Sequence, residues 1–367
     1  MNRKFIISGG GTGGHIFPAL AIAGEIKKRD PGASILFVGA LGRMEMERVP
    51  AAGYPIIGLP VEGLRRKIGF RNFVVIFKLM ISLFKASGII RSFKPDVVVG
   101  VGGYASGPLL RMAAVHRIPT VIQEQNSYAG VTNRLLAHKA KSICVAYQGM
   151  EKYFPADKIV LTGNPIREEL MSQPAKKSAA CAFFGLPEDS PVVLVLGGSL
   201  GARTINESLL RQVSTLEKEK CGILWQTGRL YYERIKEELE GQTLKNIRYF
   251  DFISRMDMAY GAADIIISRA GATTISELCL LGKPAILVPS PNVAEDHQTK
   301  NAMALVNNQA ALMVADKDAQ ELLILRTIEL LHNSELQSTL STNCKKMALY
   351  GSAPKIVDEI FKQVKLK

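Results

Sequence analysis

Residues 9–15 of the chain read Gly-Gly-Gly-Thr-Gly-Gly-His, between the apolar run FIIS (5–8) and a helix-like stretch. Glycines in that setting let a phosphate approach backbone N–H groups, and a helix start adds the positive end of its dipole. His15, whose ring titrates near neutral pH, is suited beside such a cradle to act as a general base or a phosphate partner. Three more segments have the same character: GGYASGP (102–108), GGSLGA (197–202) and RAGATTISE (269–277). Thr12, Ser199 and the group Thr273, Thr274 and Ser276 add hydroxyls to three of these turns, and Ser106 to the fourth. Four anion cradles imply two phosphorylated substrates, although some of the glycines serve only a tight turn.

Gly9, Gly11 and Gly14 also satisfy G-x-G-x-x-G, the dinucleotide pattern. A dinucleotide site needs an acid at the end of the second strand for the ribose hydroxyls. Here ILFVGALGRM places Gly39 and Ala40 at that point, with Asp30 before the strand and Glu45 in the loop after it. The pattern lacks its second anchor, which argues against NAD.

Strand-like runs position these turns. FIIS, ILFVG (35–39), VVVGV (97–101), TVIQ (120–123) and SICVA (142–146) are short, apolar and β-branched, as buried parallel strands are. The pattern restarts with VVLVLGG (192–198), ILWQTG (223–228), IRYFDF (247–252), DIIIS (264–268) and AILVPS (285–290). Helix-like segments at 15–29, 73–92 and 130–139 separate the earlier runs. The expectation is α/β: two Rossmann-like, doubly wound domains with parallel sheets, facing each other, with ligands at the carboxyl ends of the strands. The expected boundaries are 1–163 and 164–352, with a Pro-rich hinge from about 164 to 191. A last amphipathic run at about 353–367 is expected to pack back on the first domain.

Charge is segregated. Residues 1–163 hold 22 Lys and Arg against 9 Asp and Glu, whereas 164–367 hold 24 of each, so the whole net charge of +13 lies in the first half. That asymmetry points to an anionic partner. No nucleic-acid motif or aromatic platform accompanies it, which disfavours nucleic acid. Within 63–95, Arg71, Lys78 and Lys85 recur every seven residues on one side of a helix, with Phe73, Phe77, Met80 and Phe84 on others. No more than six uncharged residues separate those cations, so the segment is no membrane span. It reads as a basic amphipathic helix docked on anionic lipid, or as a crossover helix packed on its sheet. The five cysteines are scattered and never spaced as CxxC, which argues for a reducing compartment and against a zinc site. No secretory signal precedes the first strand.

The segments GGGTGGHIFPALAIA (9–23), GGYASGP, QEQNSYAGVTNR (123–134), TGNPIR (162–167), GGSLGA, DFISRM (251–256), RAGATTISE and EDHQTKNA (295–302) occur in this order. Together, over roughly residues 1–310, the chain resembles the MurG family of peptidoglycan UDP-N-acetylglucosamine transferases, glycosyltransferase family 28. The resemblance implies the GT-B fold. It implies inverting transfer of GlcNAc from UDP-GlcNAc to the C4 hydroxyl of MurNAc in lipid I, giving lipid II. In the family the C-terminal domain binds the donor, which assigns Ala272, Thr273, Thr274 and Ser199 to phosphate and Glu277 to the ribose. Ile253 would read the uracil edge through its backbone, with Met256 nearby. Arg167 reaches the donor, Gln298 the sugar hydroxyls, with His297 and Asn301 close by, and Thr12, Gly13, Gly14 and Asn126 complete the donor site.

The acceptor diphosphate would lie on Gly11, Thr12, Gly13, Gly14, Gly103, Tyr104 and Ser106. His15 is the first candidate for the base and Glu124 the second, with Asn126 beside them. Many family members read HEQN where this chain has Gln123-Glu124-Gln125-Asn126, and a neutral Gln cannot serve as base there. The D-x-D pattern that holds metal in other glycosyltransferases occurs once, as Asp316-Lys317-Asp318, where Asp318 and Glu321 read instead as a capping box. The expectation is therefore no metal held by the protein, with any Mg²⁺ effect acting through the substrates. The polyprenyl tail of lipid I favours docking of the basic helix, through Arg71, Phe73, Phe77, Lys78, Phe84 and Lys85, on an anionic inner leaflet. That places the protein at the cytoplasmic face of the bacterial inner membrane, among partners in the cell-wall machinery. The alternatives are a GT-B enzyme with another lipid acceptor, such as diacylglycerol, and a non-catalytic nucleotide-sugar or lipid-binding scaffold.

Overall fold

The structure, a computed structural model, describes residues 2–11, 13–63, 70–166, 175–198 and 200–364, with only the backbone at 70–73 and 294. The chain divides into two compact units, Met1–Arg167 with Leu349–Lys367, and Glu168–Ala348.

The first unit is built on seven parallel strands: β1 Lys4–Gly9, β2 Ser34–Ala40, β3 Ile56–Leu59, β4 Val97–Gly102, β5 Thr120–Glu124, β6 Ser142–Val145 and β7 Ile159–Leu161, in the order β3-β2-β1-β4-β5-β6-β7. Both faces of this sheet are covered, so alternate residues of one strand enter different cores. Phe5 and Ile7 of β1 pack with Ile22 and Ile26 of helix Gly13–Arg29, while Ile6 between them packs with Ile89 and Ile90 of helix Phe70–Phe93. The chain's last helix, Ser352–Lys362, lies beside helix Gly13–Arg29, and its Ile356, Val357 and Ile360 are fully buried in the same core as Phe5.

The second unit has six parallel strands: β8 Val192–Leu196, β9 Gly222–Gln226, β10 Ile247–Phe250, β11 Ile265–Ser268, β12 Ala285–Leu287 and β13 Leu312–Met313, in the order β10-β9-β8-β11-β12-β13. Counted from its own first strand this is 3-2-1-4-5-6, the Rossmann order, and the first unit repeats it with one strand added. Trp225, fully buried in β9, donates its indole N–H to Asn206 Oδ1 at 3.0 Å, and Asn206 donates on to the Thr227 carbonyl at 2.8 Å.

All ten strands expected from the sequence are present. The three it did not reveal, β3, β7 and β13, are sheet edges of two to four residues. An edge strand buries less of each side chain, so its apolar run is shorter and merges with the loops around it. The capping box expected at Asp318 does not form. Asp316–Asp318 is a 3-10 turn, and Asp318 caps the following helix, Ala319–Leu331, without a side-chain hydrogen bond.

Helix Phe70–Phe93 also differs from expectation. Lys78 reaches Glu62, and Lys85 donates to the Gly58 carbonyl at 2.8 Å, so neither cation is directed away from the unit. Val75, Ser82, Ala86, Ile89 and Ile90 form a narrow buried stripe, while Val74, Ile76, Phe77, Leu79, Met80, Ile81 and Phe84 are exposed, Phe77 by 67% and Phe84 by 75%. The exposed surface is mostly apolar, with Lys85 and Arg91 also exposed. The side chains of Arg71 and Phe73 lie outside the described residues. Among the described residues no helix is long and apolar enough to cross a membrane.

Ile360→Ala is expected to destabilise the first unit by about 2–5 kcal/mol in urea unfolding, because it leaves a void beneath β1. The exposed neighbour Lys362→Ala is the control, and equal effects of the two would remove the last helix from the core.

Candidate functional site

In the first unit the strand–turn–helix corners after β1 and β4 are packed on each other. The register between β1 and β4 shifts after Ser8, pairing Gly9 with Gly102. Gly103 has φ +86°, and a Cβ there would stand 2.4 Å from the Gly10 carbonyl oxygen. No side chain fits that contact, so the two glycine turns form one backbone surface. Gly11, Gly13 and Gly14 lie on or near its accessible side, at the start of helix Gly13–Arg29, which has no acidic residue in its first turn. Thr12 lies outside the described residues.

His15 sits at the junction of the two turns. Its ring lies against Gly102, where a Cβ would be 2.8 Å from ring atoms Nδ1 and Cε1, and its Nδ1 is 2.8 Å from Gln125 Oε1. Glu124 is placed differently. It is buried at the end of β5, and its Oε1 accepts from the Asn126 N–H (3.1 Å) and Asn126 Nδ2 (3.2 Å). Its Oε2 accepts from the Gly130 N–H (3.0 Å) and Asn133 Nδ2 (2.8 Å). A carboxylate has about four lone-pair sites, and this one spends all four on holding the loop that follows β5. Glu124 is therefore a brace for Asn126 rather than a group poised to take a substrate proton. Gln123 is also fully buried, and its Nε2 donates to Asn164 Oδ1 at 3.0 Å.

Two acceptor-side expectations are corrected in the same way. The Ser106 hydroxyl is buried and turned to the carbonyls of Gly102 (2.9 Å) and Ser8 (3.0 Å), so it joins β1 to β4 instead of meeting a ligand. The Gly11 N–H is already donated, at 2.9 Å, to Glu45 Oε2. Tyr104, by contrast, is 53% exposed and lies over Gly63.

In the second unit the turn after β11 leads into helix Ala272–Leu281. Gly271 caps it with extended backbone and no side-chain hydrogen bond, and no acidic residue lies in its first turn. Its first N–H groups lack a capping side chain, the arrangement that receives an anion. The Thr273 hydroxyl is buried there without a hydrogen-bond partner, while Ser276 turns back to the Ala272 carbonyl at 3.0 Å. Glu277, on the same helix, is buried and accepts from the Tyr260 hydroxyl at 2.8 Å. Gln298 Oε1 accepts from the Ser290 N–H at 2.8 Å, and buried Asn301 donates to the Ala270 carbonyl at 3.4 Å, tying helix His297–Val306 to the same turn. His297 begins that helix, directly after Glu295 and Asp296, both in left-handed backbone.

Met256 starts helix Met256–Ala262, and the Ile253 N–H is donated to Gln226 Oε1 at 2.9 Å. Gln226 also donates to the Gly198 carbonyl at 3.1 Å, so it links the loop at Ile253 to the turn after β8. Arg167 and Ser199 lie outside the described residues. The D-x-D aspartate Asp316 is paired with Arg269 at 2.5 Å and accepts from the Thr204 hydroxyl at 3.0 Å, within the frame of the unit.

Residues 5–145 match the glycosyltransferase family 28 N-terminal domain and residues 192–356 its C-terminal domain. The UDP-N-acetylglucosamine–N-acetylmuramyl-(pentapeptide) pyrophosphoryl-undecaprenol N-acetylglucosamine transferase of Parabacteroides distasonis is 58% identical over 364 residues, 99% of either chain. This chain belongs to glycosyltransferase family 28. A relative of the same name from Bacteroides fragilis is 55% identical, covering 98% of this chain and 95% of its own. The crystal structure of Acinetobacter baumannii MurG, 29% identical, aligns over 99% of this chain and all of its own with a TM-score of 0.78. The fold is thus GT-B, with each unit one Rossmann-like half, and the chain is a glycosyltransferase.

Glu45 is the functional-site residue that the family motifs passed over. It is fully buried, and besides Gly11 it accepts the Ala40 N–H at 2.9 Å. A Cβ on Gly10 would lie 2.0 Å from its Oε1, and one on Gly39 2.5 Å from its Cγ. Gly10, between two of the fingerprint glycines, and Gly39, at the end of β2, are therefore glycines because this carboxylate fills the space that a Cβ would need. The signal in the sequence was an acid five residues past the second strand, facing two glycines. Glu45→Ala is expected to lower stability by about 2 kcal/mol, since it strands the buried Ala40 N–H and frees the Gly11 N–H. Gly10→Ala should be severe in the wild-type chain and mild in the Glu45→Ala background. A double-mutant cycle in urea that returned additive effects would refute the contact.

Proposed function

We propose that the chain transfers GlcNAc from UDP-GlcNAc to the MurNAc hydroxyl of undecaprenyl-pyrophosphoryl-MurNAc-pentapeptide, lipid I, and so makes lipid II. The full-length likeness to transferases of that name carries the reading. The geometry supports it with an uncapped helix start in the second unit for the UDP diphosphate and a glycine surface in the first for the lipid diphosphate.

In the mechanism we propose, the Ala272–Leu281 helix start stabilises negative charge on the departing UDP, with Thr273 and Thr274 adding hydroxyls. Glu277, steadied by Tyr260, accepts hydrogen bonds from the ribose. The acceptor oxygen bonds to the anomeric carbon as the bond from that carbon to the phosphate oxygen breaks, and UDP leaves with the electron pair. The hydroxyl proton passes to His15, and attack from the side opposite the leaving group inverts the configuration. Asn126, held by Glu124, orients the sugar beside it. The protein supplies no metal in this scheme, because Asp316 is committed to Arg269 and Thr204. Mg²⁺ acts through the diphosphates alone.

The exposed apolar residues of helix Phe70–Phe93 dip into the cytoplasmic leaflet of the inner membrane, where the polyprenyl tail of the acceptor lies. The net charge of the first 163 residues draws that surface to anionic headgroups. The helix contributes through Phe77 and Phe84 more than through Lys78 and Lys85, which are engaged within the unit.

Radiolabelled GlcNAc transfer to a lipid I analogue, without other proteins, tests the reading. The wild type is expected to form lipid II, and His15→Ala to lose roughly 10²- to 10⁴-fold in kcat. Tight UDP-GlcNAc binding with no transfer would favour a scaffold. For the membrane surface, Phe77→Ser with Phe84→Ser should weaken flotation with anionic vesicles roughly tenfold or more. Lys78→Glu with Lys85→Glu should weaken it less, and the reverse order would restore the basic-helix picture.

A further inference from the structure

Gln125 holds His15 by a hydrogen bond whose direction the surrounding groups determine. The Gln125 Nε2 donates to the Val101 carbonyl at 2.7 Å and to the Gln123 carbonyl at 3.1 Å. Main-chain carbonyls only accept, so the amide cannot be turned the other way. Its Oε1 therefore faces His15 Nδ1 as an acceptor, at 2.8 Å. Behind it the chain of amides is directed too. Asn164 Nδ2 donates to the Gln125 carbonyl at 3.0 Å, which leaves Asn164 Oδ1 to accept from Gln123 Nε2 at 3.0 Å. Gln123 Oε1 is a third acceptor at Gln125 Nε2, so the three acceptors share its two hydrogens. Gln123, Gln125 and Asn164 are all buried, and none of them titrates.

We propose that Gln125, locked by Gln123 and Asn164, sets the tautomer of His15: the proton resides on Nδ1 and the lone pair on Nε2. Gln125 is thus a positioning residue for the transfer. Neutral imidazole carries one N–H, and an acceptor-only contact at Nδ1 assigns it there. Gly102 completes the arrangement, because its missing side chain and φ of +101° let the ring lie against the backbone. In the transfer step Nε2 takes the hydroxyl proton, and the resulting imidazolium keeps its Nδ1–H on Gln125. The inference rests on the reading of His15 as base, but the tautomer can be observed separately from turnover.

The test is ¹⁵N NMR of histidine-labelled full-length protein at a pH where the ring is neutral, with His15 assigned by loss of its signals in His15→Ala. The wild type is expected to show a protonated Nδ1 and an unprotonated Nε2. In Gln125→Leu that signature should give way to a tautomer mixture. The kcat should fall roughly 10- to 100-fold, part of what a general base contributes, with KM for UDP-GlcNAc and for the lipid I analogue unchanged. A wild-type spectrum with the proton on Nε2 overturns the proposal even if the variant does not fold, and so does a folded Gln125→Leu with wild-type kcat. His15→Ala retaining full kcat overturns the base reading instead, and leaves the tautomer assignment standing.

Discussion

Backbone N–H groups at the carboxyl ends of parallel strands need partners, and the molecule is organised around who supplies them. A strand that ends in a glycine turn and starts a helix leaves several donors without intrahelical acceptors. In the first unit two buried carboxylates take some of those donors. Glu45 binds Gly11 and Ala40, and Glu124 binds Asn126 and Gly130. The donors left over, around Gly13 and Gly14, form a surface stiffened from behind. A turn held in this way presents its remaining N–H groups without reorganising when a diphosphate arrives.

The second unit uses the same layout with different chemistry. Its corner after β11 has no left-handed glycine, since Gly271 is extended, whereas Gly102 and Gly103 in the matching corner of the first unit both have positive φ. The likeness of DVVVGVGGYASGP to DIIISRAGATTISE is one of strand and helix placement, not of backbone conformation. Left-handed glycines stand instead in the turn after β8, at Gly198 and Gly201, and at Gly228 after β9, where a Cβ would meet the Gly201 nitrogen at 2.1 Å. Both units thus press two turns together through glycine, but they choose different pairs of strands. Among the described residues the buried Thr273 hydroxyl has no hydrogen-bond partner, and it stands at a helix start without a side-chain cap.

Several residues proved to support the site where the motifs suggested contact with a substrate. Ser106 and Ser276 have hydroxyls beside a cradle, yet both return to carbonyls of their own corner. Asn301 and Gln298 hold the loop and helix around the donor turn. Lys78 and Lys85, which sequence spacing placed on one side of a helix, end on Glu62 and Gly58, and the exposed side is mostly aromatic and aliphatic. A short polar or long basic side chain near the backbone readily finds a local acceptor.

The sequence alone determined ten of the strands, the duplicated strand–turn–helix corners, the absence of a dinucleotide acid and the eight ordered segments that mark the family. These are local properties: apolar runs, glycine positions and residue types at fixed spacing, each enforced by burial or by φ. Tertiary structure decided the partners. His15 meets Gln125 across 110 residues, Gly11 meets Glu45 across 34, and Gln123 meets Asn164 across 41. Such pairs depend on strand order and on the one-residue shift between β1 and β4, which no periodicity encodes. A hydrogen bond's direction depends further on which neighbours can only accept, and for that reason the side chain that orients the histidine became identifiable only in the folded chain.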